Sequence, residues 1–238
     1  MPIFSPTKSV QRKYETQLRK VARIVGGIVE TFTVGDEITN QSALDDALLA
    51  YSIALEPWAK NLTSQIIQEI NSANKRDWDK YTKDFSASLR RTLNSTPIGH
   101  VALQQQLEQV ELIKSLPIEA GLRAQKIAQN AATGGMRADE AAQEILKTSS
   151  VTQSRAVLIA RTEIAKTNAA FIQARSQSIG SSFYIWRTVG DAQVRSSHEH
   201  LNGTRQSFAN PPFIPGEGNH GPGEIWNCRC TAEPIITV

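Results

Sequence analysis

Residues 181–187, Ser-Ser-Phe-Tyr-Ile-Trp-Arg, divide the chain. Phe183-Tyr184-Ile185-Trp186 is aromatic and β-branched, which is the content of a strand. The residues before it read as helix, and those after it read as short strands and loops. The pattern predicts an α+β protein with two parts. A mainly helical N-terminal arm or bundle covers residues 1–150. A small C-terminal domain covers 151–238, with one long helix packed on a short β-sheet. After Trp186 comes a helical or turn stretch at 193–201, then a Pro/Gly-rich loop at 210–223. A last strand lies between Trp226 and Val238 and closes in Ile235-Ile236-Thr237-Val238. Pro234 places that strand at a sheet edge or a bulge. A loop as long as 210–223 is usually pinned by packing, a metal or a partner.

Upstream, residues 1–7 read as an extended or disordered lead with Pro2 and Pro6. Val10, Tyr14, Val21, Val25 and Ile28 recur at helical spacing and predict a helix from Lys8 to about Phe32. Gly26-Gly27 weakens it near its end. Gly35-Asp36-Glu37 is a turn. Ser42, with Asp45 three residues on, has the form of an N-cap. A long helical region to about Leu93 is broken near Pro57. Leu103, Leu107, Val110 and Ile113 place one face on a helix ending at Leu116, and Pro117 starts the next. Thr133-Gly134-Gly135 is a stop signal. A short helix runs through Leu146, and a long one extends from Thr152 to about Ile179, closed by Gly180.

The net charge of +3 is too small for a polyanion binder by bulk charge. Its distribution says more. Lys8, Arg12, Lys13, Arg19, Lys20 and Arg23 face the single acid Glu15 within one helix. That run is either a solvated helix face or a contact for nucleic acid or a partner. Two cysteines do not make a secreted disulfide framework, so reduced thiols made in a cytosol are expected. The first residues hold no apolar stretch of signal-peptide length. No window approaches the ~20 apolar residues of a membrane span, so no membrane partner is expected.

The chemically unusual residues gather near the end of the chain. His198, His200, His220, Cys228 and Cys230 are all possible zinc ligands. Cys228-x-Cys230 on a flat strand would put Cα atoms roughly 6.5–7 Å apart, at the upper edge of disulfide geometry. Two sulfurs on one zinc must approach to about 3.8 Å, so a bulge or turn at Arg229 would be needed. His198 and His200 point to opposite sides of a helix. The best composite metal site is therefore His198, Cys228, Cys230 and His220. The alternative is structural, with both cysteines as small buried hydrophobes. In that reading an Asp191–Arg195 pair closes the loop, and Gly203 supplies a positive φ. A third reading makes a hydrolase or nuclease of His198 and the cysteines. It has no P-loop, H-E-x-x-H or G-x-S-x-G beside it, and no catalytic residue is assigned.

Three features taken together resemble the phage Mu F-like minor head protein family, also called phage head morphogenesis proteins. The first is Ala160-Arg161-Thr162-Glu163 with Asn168 after it. The second is Tyr184-x-Trp186 and then Asp191, Val194, Arg195, His198, Leu201 and Gly203. The third is the Pro/Gly-rich loop closing in Asn227-Cys228-Arg229-Cys230. The resemblance covers residues 120–236. It implies a minor capsid protein of the virion, made in the host cytoplasm and associated with the portal or the capsid interior. It implies portal protein and other head proteins as partners, with double-stranded DNA as a further candidate. It also implies a role in head assembly or in packaging and ejection of DNA, with no small-molecule substrate. Some members carry toxin or enzyme domains, and no such passenger is expected after Cys230 here. The rival readings are the metal-dependent hydrolase or nuclease and a plain DNA-binding module.

Overall fold

The computed structural model describes residues 3–5, 7–34 and 37–236. Gly35 and Asp36 of the expected turn, Pro2 and Pro6 of the lead, and Thr237 and Val238 of the last strand lie outside the described residues. In chain order the elements are α1 (Lys8–Thr31), β1 (Thr33–Val34), β2 (Glu37–Ile38), α2 (Gln41–Ala54) and α3 (Glu56–Tyr81). Next come α4 (Ala87–Ser95), α5 (Gly99–Ala132), α6 (Ala138–Leu146) and α7 (Thr148–Ser178). The remainder holds β3 (Phe183–Arg187), α8 (Ser196–Glu199), β4 (Arg205–Ser207), β5 (Phe213–Ile214), β6 (Gly218–Asn219) and β7 (Thr231–Pro234). The protein is α+β and mainly helical, as the sequence predicts.

Two compact units emerge, each discontinuous in sequence. One consists of Met1–Gln11, Ser64–Gln106 and Arg161–Val238, and the other of Arg12–Thr63 and Leu107–Ala160. The boundary expected at residue 150 falls inside α7.

The first unit contains the sheet, with order β4-β3-β7 and both pairings antiparallel. Ile185 pairs with Arg205 on one side, and Trp186 with Ala232 on the other. Alternation along β3 turns Tyr184 and Trp186 inward, where they are 1% and 0% exposed. Burial of large side chains of this kind contributes roughly 2–3 kcal/mol each. They cluster with Ile172 of α7, Trp78 of α3, Leu93 of α4 and both cysteines. Phe4 joins this core at 1% exposure, edge-on to Trp78 with centroids 5.1 Å apart. The lead around Phe4 is therefore docked and not loose, because an aromatic side chain finds an aromatic pocket. The closing strand ends at Pro234, earlier than the Ile235-Ile236 run suggested.

The second unit is helical apart from the β1–β2 hairpin. Its α2 begins earlier than expected, with Asn40 as N-cap accepting from Ala43 N–H at 3.0 Å in place of Ser42. The break at Pro57 holds, since α2 ends at Ala54 and α3 starts at Glu56. Pro117 does not start a helix; it lies inside α5. An internal proline costs about 3 kcal/mol. Burial of Ile113, Leu116 and Ala120 around it, all at most 2% exposed, offsets that cost. Thr133-Gly134-Gly135 does end α5, with Gly134 at φ 74 and Gly135 N–H returning to Asn130 O at 2.9 Å.

Candidate functional site

The site is assembled from three segments of the first unit: α8, the β5–β6 hairpin with its tail, and the turn before β7. Arg195 caps α8 in an extended conformation, and His198 N–H returns to its carbonyl at 2.9 Å. This single turn buries His198 to 1% exposure and leaves His200 exposed, so the two histidines do diverge. Trp186 meets the His198 ring edge-on at 5.4 Å.

Residues 228–230 are not strand. Cys228 N–H closes a turn onto Ile225 O at 3.2 Å, and Asn227 has a left-handed φ of 59. Asparagine tolerates that conformation better than most residues. Arg161 Nη1 donates to Asn227 Oδ1 at 3.0 Å, and Asn227 N–H donates to Thr162 Oγ1 at 3.0 Å, which ties the turn to α7. The turn brings both thiols inward, 2% and 4% exposed. Each Sγ lies 3.5 Å from His198 Nδ1. The bend that a shared ligand would require is therefore present, just ahead of Arg229.

The other side of the His198 ring is also engaged. Its Nε2 is 2.8 Å from Glu217 Oε2, and Arg195 Nε reaches Glu217 Oε1 at 3.2 Å. Arg195, the N-cap, and His198 within α8 thus converge on one carboxylate. His220 Nε2 meets the same Oε2 at 3.2 Å, and its Nδ1 lies 3.2 Å from Gly221 O. His220 therefore sits on the Glu217 side, outside the group formed by His198, Cys228 and Cys230. Glu217 was missed in the sequence. It is the one acid within 210–223, and a loop that has to be pinned was the available signal.

The electrostatics derive from these distances. A hydrogen bond with Cys230 is the main influence pulling the Cys228 thiol down, and bonds from His198 and the Gly223 N–H add to it. The same partnership, together with burial, pushes Cys230 up. His198 is raised by Cys228 and then by Glu217. Burial pushes the Glu217 carboxyl up, but His198 and Arg195 outweigh it and hold it low. The cluster thus sets the two thiols, the His198 ring and the Glu217 carboxyl in one continuous line of contacts.

The loop is closed by a different ion pair from the one expected. Asp191 binds Arg229, not Arg195, because Arg195 is drawn to Glu217 and to Trp226 O at 2.9 Å. Gly203 does adopt a positive φ of 80. Asn168 lies away from the thiols, donating to Phe4 O at 2.8 Å and accepting from Asn74 at 2.9 Å. Glu163 is buried with Lys166 Nζ at 3.4 Å. Cys228 also borders a cleft of about 400 Å³, walled by Lys8, Arg161, Asp191 and Arg229. The six cations of α1 are all exposed. Among the described residues no helix is long and apolar enough to cross a membrane.

Residues 123–233 match the family described as "Phage Mu protein F like protein". The match spans α7, the sheet and all three site segments, and it bears out the resemblance read from the motifs. An uncharacterized protein of Haemophilus influenzae is 28% identical over an alignment that covers 98% of this chain and 55% of that protein. The chain thus spans about half the length of that relative. No solved structure matches.

Proposed function

We propose that this protein is a minor head protein of a tailed phage. It acts in head morphogenesis through contacts with the portal and other head proteins, and it resides in the virion. The family match over residues 123–233 carries this reading. The C-terminal cluster serves it as a locked structural element, a role supported by ligand atoms that are almost wholly buried. The rival hydrolase has less support, because His198, Cys228 and Cys230 are each at most 4% exposed and a substrate would have to reach them. The test is deletion of the gene in the phage or prophage that carries it. Loss of full heads, with the protein found by mass spectrometry in complemented virions and retained on tagged portal, is the expected result. Normal particle yield without it would overturn the reading.

A second contact is favoured by a specific observation. Lys8, Arg12, Lys13, Arg19, Lys20 and Arg23 stand exposed on α1, and double-stranded DNA fits such a face. Binding to random-sequence duplex would weaken steeply with salt, with a log–log slope of about −0.9 per phosphate contacted. Glutamine at Arg12, Arg19, Lys20 and Arg23 would flatten that slope. An unchanged slope would place any DNA contact elsewhere.

A further inference from the structure

We propose that His198, Cys228 and Cys230 bind one zinc ion, with Glu217 as the group that orients the histidine. Neither the support for this ion nor its test depends on a role in head assembly.

Distance is the first support. Zinc holds thiolate sulfur at about 2.3 Å and imidazole nitrogen at about 2.0–2.1 Å, so a tetrahedral site separates the two by roughly 3.5 Å. Both His198 Nδ1–Sγ distances are 3.5 Å. The three ligand atoms all lie within 4.8 Å of one another. A buried histidine between two buried thiols is also an unusual use of core space. It is explained if the three share a cation.

The second support is the tautomer. A zinc-bound histidine characteristically gives its other ring N–H to a carboxylate. Here Nε2 faces Glu217 Oε2 at 2.8 Å, which leaves the Nδ1 lone pair directed at the thiols. Arg195 and His220 hold that carboxylate in place from two further directions. The Gly223 N–H donates to Cys228 Sγ at 3.4 Å, a bond suited to a thiolate. Gly223 has φ +89, and a Cβ there would meet the carbonyls of Ala165 and Cys230 at 3.3 Å. Only glycine brings that N–H so close.

The donor set selects the metal class. Two thiolates and an imidazole favour zinc over the hard cations magnesium and calcium. Thiolates also neutralise the dication. Loading releases protons from the thiols to solvent. Cys228 lines the 400 Å³ cleft, which gives a metal a path inward. His220 is turned to Glu217 and the Gly221 carbonyl, so the protein ligands the structure offers are His198, Cys228 and Cys230. The ion would tie α8 to the turn before β7 and close a loop of some thirty residues.

The test uses the full chain without a histidine tag, purified reduced from zinc-supplemented culture. Elemental analysis is expected to find close to one zinc per chain. Cys228→Ser and Cys230→Ser should each lose it several-fold, while His200→Ala, an exposed neighbour, keeps it. A second measurement does not rely on variants folding. Unmutated protein stripped of metal and loaded with cobalt(II) should show thiolate-to-cobalt charge-transfer absorption and the intense visible bands of a tetrahedral ion. Protein isolated free of zinc that also gives no cobalt spectrum overturns the proposal. So does zinc that persists in both cysteine variants.

Discussion

Arg229 grips Asp191 with two parallel hydrogen bonds, Nη1 to Oδ2 at 2.6 Å and Nη2 to Oδ1 at 2.7 Å. The pair spans thirty-eight positions of sequence and fastens the residue between the two cysteines to the start of the α8 loop. Asp191 Oδ1 also accepts from Gln193 N–H at 3.1 Å. The bond to Arg229 is the main influence holding the Asp191 carboxyl below the usual range. A depressed carboxyl stabilises the fold above its unfolded pKa of about 3.9. The contribution is lost as pH falls through the lower folded value. Asp191→Asn should therefore melt earlier than the parent at pH 6–8, and the gap should close toward pH 3. Thermal melts across that range check it, and a gap that persists or widens in acid would contradict the assignment.

Gly223→Ala and Gly203→Ala separate strain from crowding. Both glycines have positive φ, but only Gly223 has neighbours where a Cβ would stand. Gly203→Ala should cost about 1–2 kcal/mol from the left-handed backbone alone. Gly223→Ala should cost more, roughly 2–4 kcal/mol, since the carbonyls at 3.3 Å belong to backbone and cannot swing aside. Urea denaturation of the two variants gives the comparison.

Gly26 and Gly27 make a matched pair inside α1. A Cβ on Gly26 would stand 2.5 Å from Ser149 Oγ and 2.8 Å from its Cβ, whereas one on Gly27 would meet nothing within 4 Å. Gly27→Ala is expected to stabilise by roughly 0.5–1 kcal/mol through helix propensity. Gly26→Ala should destabilise by roughly 1–3 kcal/mol through overpacking. Equal shifts of the same sign in denaturation midpoint would show that the helices do not approach here as described.

The legible part of the chain was its punctuation. Gly134 and Gly180 ended helices where their positive φ was needed, and the aromatic run made β3. Of the set His198, His220, Cys228 and Cys230, the structure joins His198 to the two cysteines and places His220 on the Glu217 side. What stayed hidden depended on distant partners. Leu103 and Leu107 looked like a core face, yet both are 56% exposed while Gln105 and Gln109 are buried. Gln105 is accommodated because Thr167 Oγ1 donates to its Oε1 at 3.2 Å, a partner that no local pattern announces. The sequence pairs Asp191 with Arg195, its near neighbour, and only the fold shows that Arg229 holds it.

Arg175 supplies a fourth experiment. It is 1% exposed, with Nη1 on Asn74 Oδ1 and Nη2 on Asn71 Oδ1. Burial pulls its guanidinium down to about 10. Asn74 passes the network on to Asn168, and Asn168 to Phe4 O. Asn74→Ala removes a partner from a buried cation and should cost roughly 2–3 kcal/mol, and Asn168→Ala roughly 1–3 kcal/mol. The double variant should cost less than the sum, because both break one chain of bonds. A double-mutant cycle in urea reads the coupling, and strict additivity would show that the two asparagines act separately.

The order β4-β3-β7 has a consequence for synthesis. β3 is the middle strand, and its second neighbour comes last of all the strands. At translation rates of roughly 5–20 residues per second, β3 and β4 leave the ribosome one to several seconds before β7 does. Through that interval one edge of β3 stands open, and Tyr184 and Trp186 lack the cover of Ala232 and the cysteines. An open apolar edge is a template for pairing with another chain. Nascent chains stalled short of Cys228 would therefore stick to one another, and residues 228–234 act as the latch that ends the exposure.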